Sequence, residues 1–96
     1  MGHVDVVDRG SREIVVFLSG AIDETTREAL ADAAERVRLL LDVNDVSRVV
    51  IDSHQVTDFG APGVRFLRGL EVAGREHGFD VALAMTSPAV AHALHP

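Results

Sequence analysis

The stretch VVIDSHQVTDFGAPGVRFL, residues 49–67, decides the fold, because it joins a strand-like segment to a helix-like segment through a corner rich in glycine and proline. The segment Arg48–Asp52 is apolar and β-branched at its centre, which is typical of a buried strand. The segment Val64–Glu76 has apolar residues at helical spacing. We therefore predict a strand, a loop with its crest at Gly60–Gly63, and a helix in direct succession.

The crest of this corner raises the question of function. Turns from a strand into a helix often present a nucleophile, a phosphoacceptor or a phosphate-binding hydroxyl. Here the crest consists of Gly60, Ala61, Pro62 and Gly63, and none of these side chains carries a reactive group. The corner therefore offers a shape without a chemical group.

The residues before this stretch predict two strands and a helix. Val4–Val7 and Glu13–Leu18 are separated by a turn-forming cluster, so we expect them to pair as an antiparallel hairpin. Gly20 is expected to end the second strand, and Asp23 is expected to cap a helix of about five turns. The apolar stripe of that helix consists of Leu30, Ala33, Ala34, Val37, Leu40 and Leu41.

The residues after it complete an α/β pattern. Gly78 is expected to close the second helix, and Asp80–Met85 to form a strand. Ser87 and Pro88 are typical of the start of a last, short helix. The order β-β-α-β-α-β-α predicts a single α/β domain over residues 1–96, with parallel strands and an antiparallel edge hairpin.

In sheets of this kind, functional sites lie at the carboxyl ends of the strands. That rule is expected to bring three segments to one rim: Asp23, residues 53–62, and Thr86–Ser87.

Composition excludes several classes of protein. The formal net charge of −6 argues against a nucleic-acid binder, which needs cations to neutralise phosphates. The absence of cysteine excludes disulfides, thiolate metal sites and cysteine nucleophiles. No apolar run is long enough to cross a bilayer, and the first residues lack the pattern of a signal peptide. We therefore expect a cytoplasmic, globular protein.

Three segments together resemble the STAS domain, the sulfate transporter and anti-sigma factor antagonist family. They are FLSGAIDETTREAL (17–30), VVIDSHQVTDFGAPGVRFLRGL (49–70) and FDVALAMTSPAVAHAL (79–94). The family pattern has Gly-x-Leu-Asp after the second strand, Val-Val-Leu-Asp-Leu in a later strand, and Asp-Ser-Ser-Gly-Leu at the second helix. Gly20–Asp23, Val49–Asp52 and Gly60–Val64 occupy these places. The resemblance implies a STAS-like mixed sheet with helices packed on it.

The resemblance implies a comparison with bacterial anti-sigma factor antagonists. In those proteins the first Ser of the third motif is phosphorylated by a kinase that is also the anti-sigma factor. The unphosphorylated antagonist binds that kinase and frees a sigma factor, and about two added negative charges block the complex. Here Ala61 stands at the acceptor position, Gly60 and Pro62 replace the preceding Asp and the second Ser, and only Gly63 is kept. Ala61 is thus a degenerate phosphorylation position, and the corner keeps a recognition shape without its switch.

The resemblance also implies a partner-binding surface around the corner. We expect it to consist of Asp23, Asp58, Phe59, Gly60, Ala61, Pro62, Gly63 and Arg65. The expected partner is a kinase-type anti-sigma factor or another regulatory protein, and no cofactor, metal or catalytic residue is expected.

Simpler interpretations of the charged residues stay open. Asp23 also fits a helix cap alone, and Asp58 a solvated turn carboxylate. Arg65 also fits a solvated helix face. On that face Glu71 is spaced to pair with Arg68, three residues before it, and with Arg75, four residues after it. A substitute phosphoacceptor is a further possibility among the nearby hydroxyls, Thr25, Thr26, Ser53 and Thr57.

A hydrolytic site is not predicted from Asp52, Ser53, His54 and Asp58. Neighbouring residues on a strand point to opposite faces, so Asp52 and Ser53 diverge, and no Gly-x-Ser-x-Gly turn is present. The histidines are scattered and do not predict a metal site. We therefore expect a protein that is not an enzyme.

Two other functions compete with that of an anti-sigma factor antagonist. One is a STAS subunit of a membrane transport system, and the other is a nucleotide or small-ligand sensor, although the loop has no recognised phosphate cradle. Family members commonly continue beyond the segment equivalent to Ala89–Leu94. The sequence therefore predicts an uncovered surface, with either homo-oligomerisation through it or marginal stability.

Overall fold

The computed structural model describes residues 1–95, and Pro96, the last residue of the predicted domain, lies outside the described residues. Within 1–95 the predicted order of four strands and three helices is confirmed. The strands are β1 His3–Gly10, β2 Glu13–Ile22, β3 Arg48–Phe59 and β4 Asp80–Ala84. The helices are α1 Arg27–Val43, α2 Ala61–His77 and α3 Pro88–Leu94, and a 3₁₀ turn, Glu24–Thr26, precedes α1.

The four strands form one mixed sheet in the order β1-β2-β3-β4. β1 and β2 are antiparallel, whereas β2–β3 and β3–β4 are parallel, as the sequence predicts for an α/β domain with an edge hairpin. The two parallel connections, from β2 to β3 and from β3 to β4, each join neighbouring strands and move across the sheet in the same direction. Because such crossovers are right-handed, α1 and α2 lie on the same face of the sheet. A single apolar cluster joins residues of that face to all three helices.

β1, β2 and β4 do not end where the sequence predicts. β1 continues past its predicted end at Val7 to Gly10. Gly20 does not end β2: the strand continues to Ile22, and Gly20, with φ of 73°, lies at an irregularity of the register that glycine accommodates. β4 ends at Ala84 instead of Met85, because Met85 turns into the left-handed region with φ of 53°.

The predicted loop before the corner is mostly strand. β3 continues to Phe59, which pairs with Ile22 at the end of β2. α2 begins at Ala61 and not at Val64, because a proline is well suited to the first turn of a helix, where Pro62 stands. The corner therefore spans Gly60 alone.

The predicted single rim is wrong for Thr86–Ser87. β4 pairs only with the first part of β3, and Ala84 lies opposite Asp52. Phe59 is seven residues further along β3, about 23 Å at the usual rise per residue. The ends of β2 and β3 meet, but β4 ends well short of them.

The predicted stripe of α1 is confirmed with one exception. Ala34 is exposed, because it lines a groove of about 350 Å³ between α1 and α2 and does not face the sheet. The remaining members are buried or partly buried, as is the predicted inner face of α2: Leu30, Ala33, Val37, Leu40, Leu41, Phe66, Leu67, Leu70 and Ala73.

Candidate functional site

The corner lies where β2 and β3 end side by side. The backbone N–H of Gly60 donates a hydrogen bond of 2.8 Å to the carbonyl oxygen of Ile22. This bond ties the start of α2 to the residue that precedes Asp23. We define the corner surface as the residues with solvent access around this bond, namely Asp23, Glu24, Gly60, Ala61 and Arg65.

Asp23 begins the first helical segment with a complete set of capping hydrogen bonds. Its Oδ1 accepts from the backbone N–H of Thr25 at 2.9 Å and from the Thr25 hydroxyl at 2.5 Å. In return its own N–H donates to Thr26 Oγ1 at 3.0 Å, which makes a capping box. The hydrogen bonds from the Thr25 side chain and backbone hold the pKa of Asp23 below its usual value. Asp23 is therefore a cap, as predicted, but the segment that it caps is the 3₁₀ turn Glu24–Thr26; the N-cap position of α1 itself is Thr26, which makes no side-chain cap hydrogen bond.

The start of α2 has no side-chain cap. Gly60 occupies the N-cap position, and only its carbonyl oxygen serves the first turn, accepting from the N–H groups of Gly63 at 3.0 Å and Val64 at 3.2 Å. The first turn carries no acidic residue, and Ala61 is exposed. Ala61, which the sequence resemblance predicts to be a degenerate phosphorylation position, therefore faces solvent at the first residue of α2.

Phe59, Pro62 and Gly63, which the sequence assigns to the partner-binding set, are buried. A Cβ atom at Gly63 would lie 2.6 Å from Cε1 of Phe59, which is far inside van der Waals contact. Gly63 is therefore needed so that the Phe59 ring fits under the first turn of α2. These three residues shape the corner from below and do not present side chains to a partner.

Arg65 reaches from α2 towards the 3₁₀ turn Glu24–Thr26. Its guanidinium lies 3.7 Å from the carboxylate of Glu24, and both side chains are well exposed. Sequence reasoning did not select Glu24 as a site residue, although its position directly after the cap Asp23 was a usable signal. The predicted pairing of Glu71 with Arg68 and Arg75 is not formed among residues 1–95, since none of the salt bridges there involves Glu71.

Asp58 is not part of the corner surface. It is exposed on β3 and pairs with Ala21 of β2, while the next residue, Phe59, points into the core. Successive strand residues point to opposite faces, so the Asp58 carboxylate points away from α2. The structure therefore brings Asp23 to the corner but not Asp58.

The suspected hydrolytic residues are separated as predicted. Ser53 is fully buried on the core side of β3, whereas Asp52 and His54 meet on the other side, with 2.6 Å between Oδ1 and Nδ1. The hydrogen bond with the His54 side chain holds the pKa of Asp52 below its usual value. An Asp–His pair without a nucleophile cannot perform serine-type chemistry. Within residues 1–95, no group of three or more potential ligands is arranged to hold a metal ion.

Comparison with known proteins places the fold and the corner in a family. The family model described as Mlab, STAS domain matches residues 6–95. The chain therefore belongs to the STAS domain family. No curated protein sequence matches it.

Solved structures agree with this assignment. An anti-sigma factor antagonist from Mycobacterium paratuberculosis is 30% identical, with a TM-score of 0.75, over 99% of this chain and 76% of that one. The anti-sigma factor antagonist SpoIIAA in its unphosphorylated form has a TM-score of 0.76 at 15% identity, over 91% of this chain and 73% of its own. A STAS-domain antisigma-factor antagonist from Rhodobacter sphaeroides reaches 0.55 at 16% identity, covering 94% and 96%. The last two likenesses show the shared fold alone.

Among residues 1–95, no helix is both long enough and apolar enough to cross a membrane.

Proposed function

We propose that this chain is a protein-binding regulatory module of the anti-sigma factor antagonist type, and that the corner surface contacts a kinase-type anti-sigma factor. One observation carries the proposal: Ala61 is exposed at the first residue of α2, directly across the Gly60–Ile22 hydrogen bond from Asp23. The 30% identity to a mycobacterial anti-sigma factor antagonist supports it.

The proposed complex is not released by phosphorylation at residue 61. The methyl group of Ala61 has no oxygen to accept a phosphoryl group, and it carries no charge that imitates one. The neighbouring carboxylates of Asp23 and Glu24 make the corner surface acidic on one side. A negative group introduced at residue 61 therefore meets like charge within the corner surface and changes both the charge and the shape of the surface that the proposed partner contacts.

Co-elution in size-exclusion chromatography tests the proposal. The purified chain is mixed with each kinase-type anti-sigma factor of the source organism, with and without ATP. We expect one stable complex that ATP does not dissolve. Ala61→Glu is expected to weaken it at least about tenfold, which corresponds to roughly 1.4 kcal/mol. The double variant Gly60→Asp, Ala61→Ser is expected to become phosphorylated and to dissociate.

Ala29→Glu is the matched control, because Ala29 is exposed on α1 beside β1 and not at the corner. It introduces the same charge and is expected to leave the affinity unchanged. Absence of a complex with any such kinase, or equal weakening by both variants, would contradict the proposal.

A second candidate function rests on the family model, whose description joins the name Mlab to the STAS domain. It is the STAS subunit of a membrane transport system, which the sequence resemblance also includes. Affinity purification of the tagged chain from the source organism separates the two functions. If transporter subunits are recovered in stoichiometric amount with the natural chain but not with the Ala61→Glu variant, the corner surface binds a transporter. If a kinase is recovered instead, the corner surface binds an anti-sigma factor.

A further inference from the structure

The topology leaves one face of the sheet without a helix in the described part of the chain. α1 and α2 lie on the same face because both crossovers are right-handed and step in the same direction, and Val90 of α3 joins the same apolar cluster. Val16 and its paired neighbours Val6 and Ile51 belong to that cluster. Residues one step along each strand therefore point to the other side, which we call the open face.

The centre of the open face is apolar. One row of paired residues crosses all four strands and consists of Val7, Val15, Val50 and Ala82. Val15 is only 4% exposed, because its neighbours surround it, and the other three are half-buried. Phe17 and Ala84 continue this apolar area in the next row and are also half-buried. The row spans about 14 Å, three strand spacings.

The border of the open face is acidic. In the row of Phe17, Asp5 stands opposite it on β1 and Asp52 on β3. On the other side of the apolar row, Glu13, Arg48 and Asp80 pair across β2, β3 and β4. In these rows four carboxylates thus surround the apolar centre, together with the guanidinium of Arg48 and with the imidazole of His54 beside Asp52. Asp52 is hydrogen-bonded to His54 on this face, and that bond holds the pKa of Asp52 below its usual value.

This charge pattern decides between the candidate occupants. A second copy packed face to face would bring carboxylates against carboxylates, and the chain as a whole already carries a formal charge of −6. A cationic partner is instead attracted by the carboxylates of the border, and its apolar residues can cover the apolar centre. A helix about 10 Å wide fits over the two central strands, where Val15, Phe17 and Val50 lie.

We propose that the open face docks a basic amphipathic helix of a partner protein. Its apolar side covers Val15, Phe17 and Val50, and its Lys or Arg side chains reach the carboxylates of Glu13 and Asp52. This surface lies on the opposite side of the sheet from α2 and the corner surface. The proposal therefore goes beyond the proposed function and does not depend on it.

A designed peptide tests the proposal directly. The probe is an 18-residue amphipathic helix of Leu and Lys with one Trp, and a Leu–Glu peptide of the same pattern is its counterpart. The chain contains no Trp and no Tyr, so the fluorescence anisotropy of the peptide is read without background. We expect saturable binding of the Lys peptide that weakens with salt, and no binding of the Glu peptide.

Variants locate the binding surface. Glu13→Gln and Asp52→Asn are each expected to weaken binding about two- to five-fold, as for exposed charge pairs. Asp32→Asn, on the exposed side of α1, is the matched charge control and is expected to have no effect. Val50→Thr removes apolar contact while keeping the β-branched shape and is expected to weaken binding, whereas Val72→Thr on α2 is not. Circular dichroism verifies that each variant is folded.

Nuclear magnetic resonance shifts of backbone amides complete the test. Shifts confined to Val15, Phe17, Val50 and their strand neighbours support the proposal. Shifts confined to the groove between α1 and α2, or equal binding of both peptides, would overturn it. So would a concentration-dependent dimer that buries the open face, because the occupant would then be a second copy.

Discussion

The two helix starts that meet at the corner are built in opposite ways. The first is held by polar side chains, since Asp23 and Thr26 satisfy each other's backbone N–H groups in a capping box. The second is held by shape, since Gly60 contributes no side-chain cap and Gly63 lets the Phe59 ring pack under the helix. The hydrogen bond from Gly60 to Ile22 joins the two.

This difference separates the residues that the packing of the corner requires from those that it does not require. Gly63, which matches the family's third motif, is the residue that the packing requires. Gly60 and Ala61, which depart from that motif, stand at positions where the structure has room for larger side chains. Gly60 and Ala61 therefore stand at positions that the packing of the corner does not constrain, whereas Pro62 and Gly63 are buried.

Gly63→Ala is expected to have the largest effect on stability. The added Cβ would lie 2.6 Å from Cε1 of Phe59, so the ring or the first turn of α2 has to move. Overpacking of this kind costs about 1–3 kcal/mol. For a domain of this size the midpoint of thermal unfolding falls by roughly 5–20 °C, measured by circular dichroism.

Gly69→Ala is the control on the same helix. A Cβ added at Gly69 would have no neighbouring atom within 4 Å, so the substitution creates no clash. Replacing an exposed helical glycine by alanine stabilises by up to about 1 kcal/mol. If both variants were stabilised alike, packing of Gly63 on Phe59 would not distinguish the second helix start from the first.

Most of the fold was predictable from local patterns. Periodic segments, turn clusters and caps gave the element order. Ser87 caps α3 as its position predicts, and Asp23 caps the 3₁₀ turn that leads into α1. Strand ends were less predictable, because Gly20 and residues 53–59 read as turn-forming on their own. Pairing between β2 and β3 keeps them in the sheet, and pairing is a tertiary interaction that local sequence does not specify.

The candidate site was predictable in position but not in detail. The resemblance located the corner, yet it could not tell that Phe59 points inwards or that Asp58 points away from α2, because both depend on the strand continuing through them. Glu24 was missed since its contact with Arg65 joins two different helical segments. Side-chain direction at the end of a strand is set by the register, which only the folded sheet fixes.

Asp23→Asn tests the polar side of the comparison and is expected to have an intermediate effect that depends on pH. Asn caps a helix about as well as Asp, so the variant removes the charge and keeps the geometry. The pKa of Asp23 is lower in the folded chain than its ordinary value of 3.8, because Thr25 donates to the carboxylate. Ionisation therefore contributes stability that is present above about pH 3.8 and is lost as the pH falls through the folded-state pKa.

Urea unfolding at pH 7 and at successively lower pH measures this dependence. The natural chain is expected to be more stable than the variant at pH 7, and the difference is expected to vanish in acid. Asp32→Asn, on the exposed face of α1, is expected to change stability little at neutral pH. A constant difference in stability between the natural chain and the Asp23→Asn variant across the whole range would show that charge has no part in this cap.

Gly60→Ser gives the start of α2 a side-chain cap, which the first helix start already has in Asp23. Its effect on stability is expected to be the smallest. A Cβ at Gly60 would meet its nearest neighbour, the Ile22 carbonyl oxygen, at 3.5 Å, and the φ of −89° suits any residue. The serine hydroxyl can then accept from the first turn of α2, which is worth a few tenths of a kcal/mol relative to glycine. Equilibrium unfolding in urea is expected to show a slightly higher midpoint with an unchanged slope. A loss of stability would instead mean that Gly60 is required by the backbone, and the second helix start would then be constrained at two positions and not at Gly63 alone.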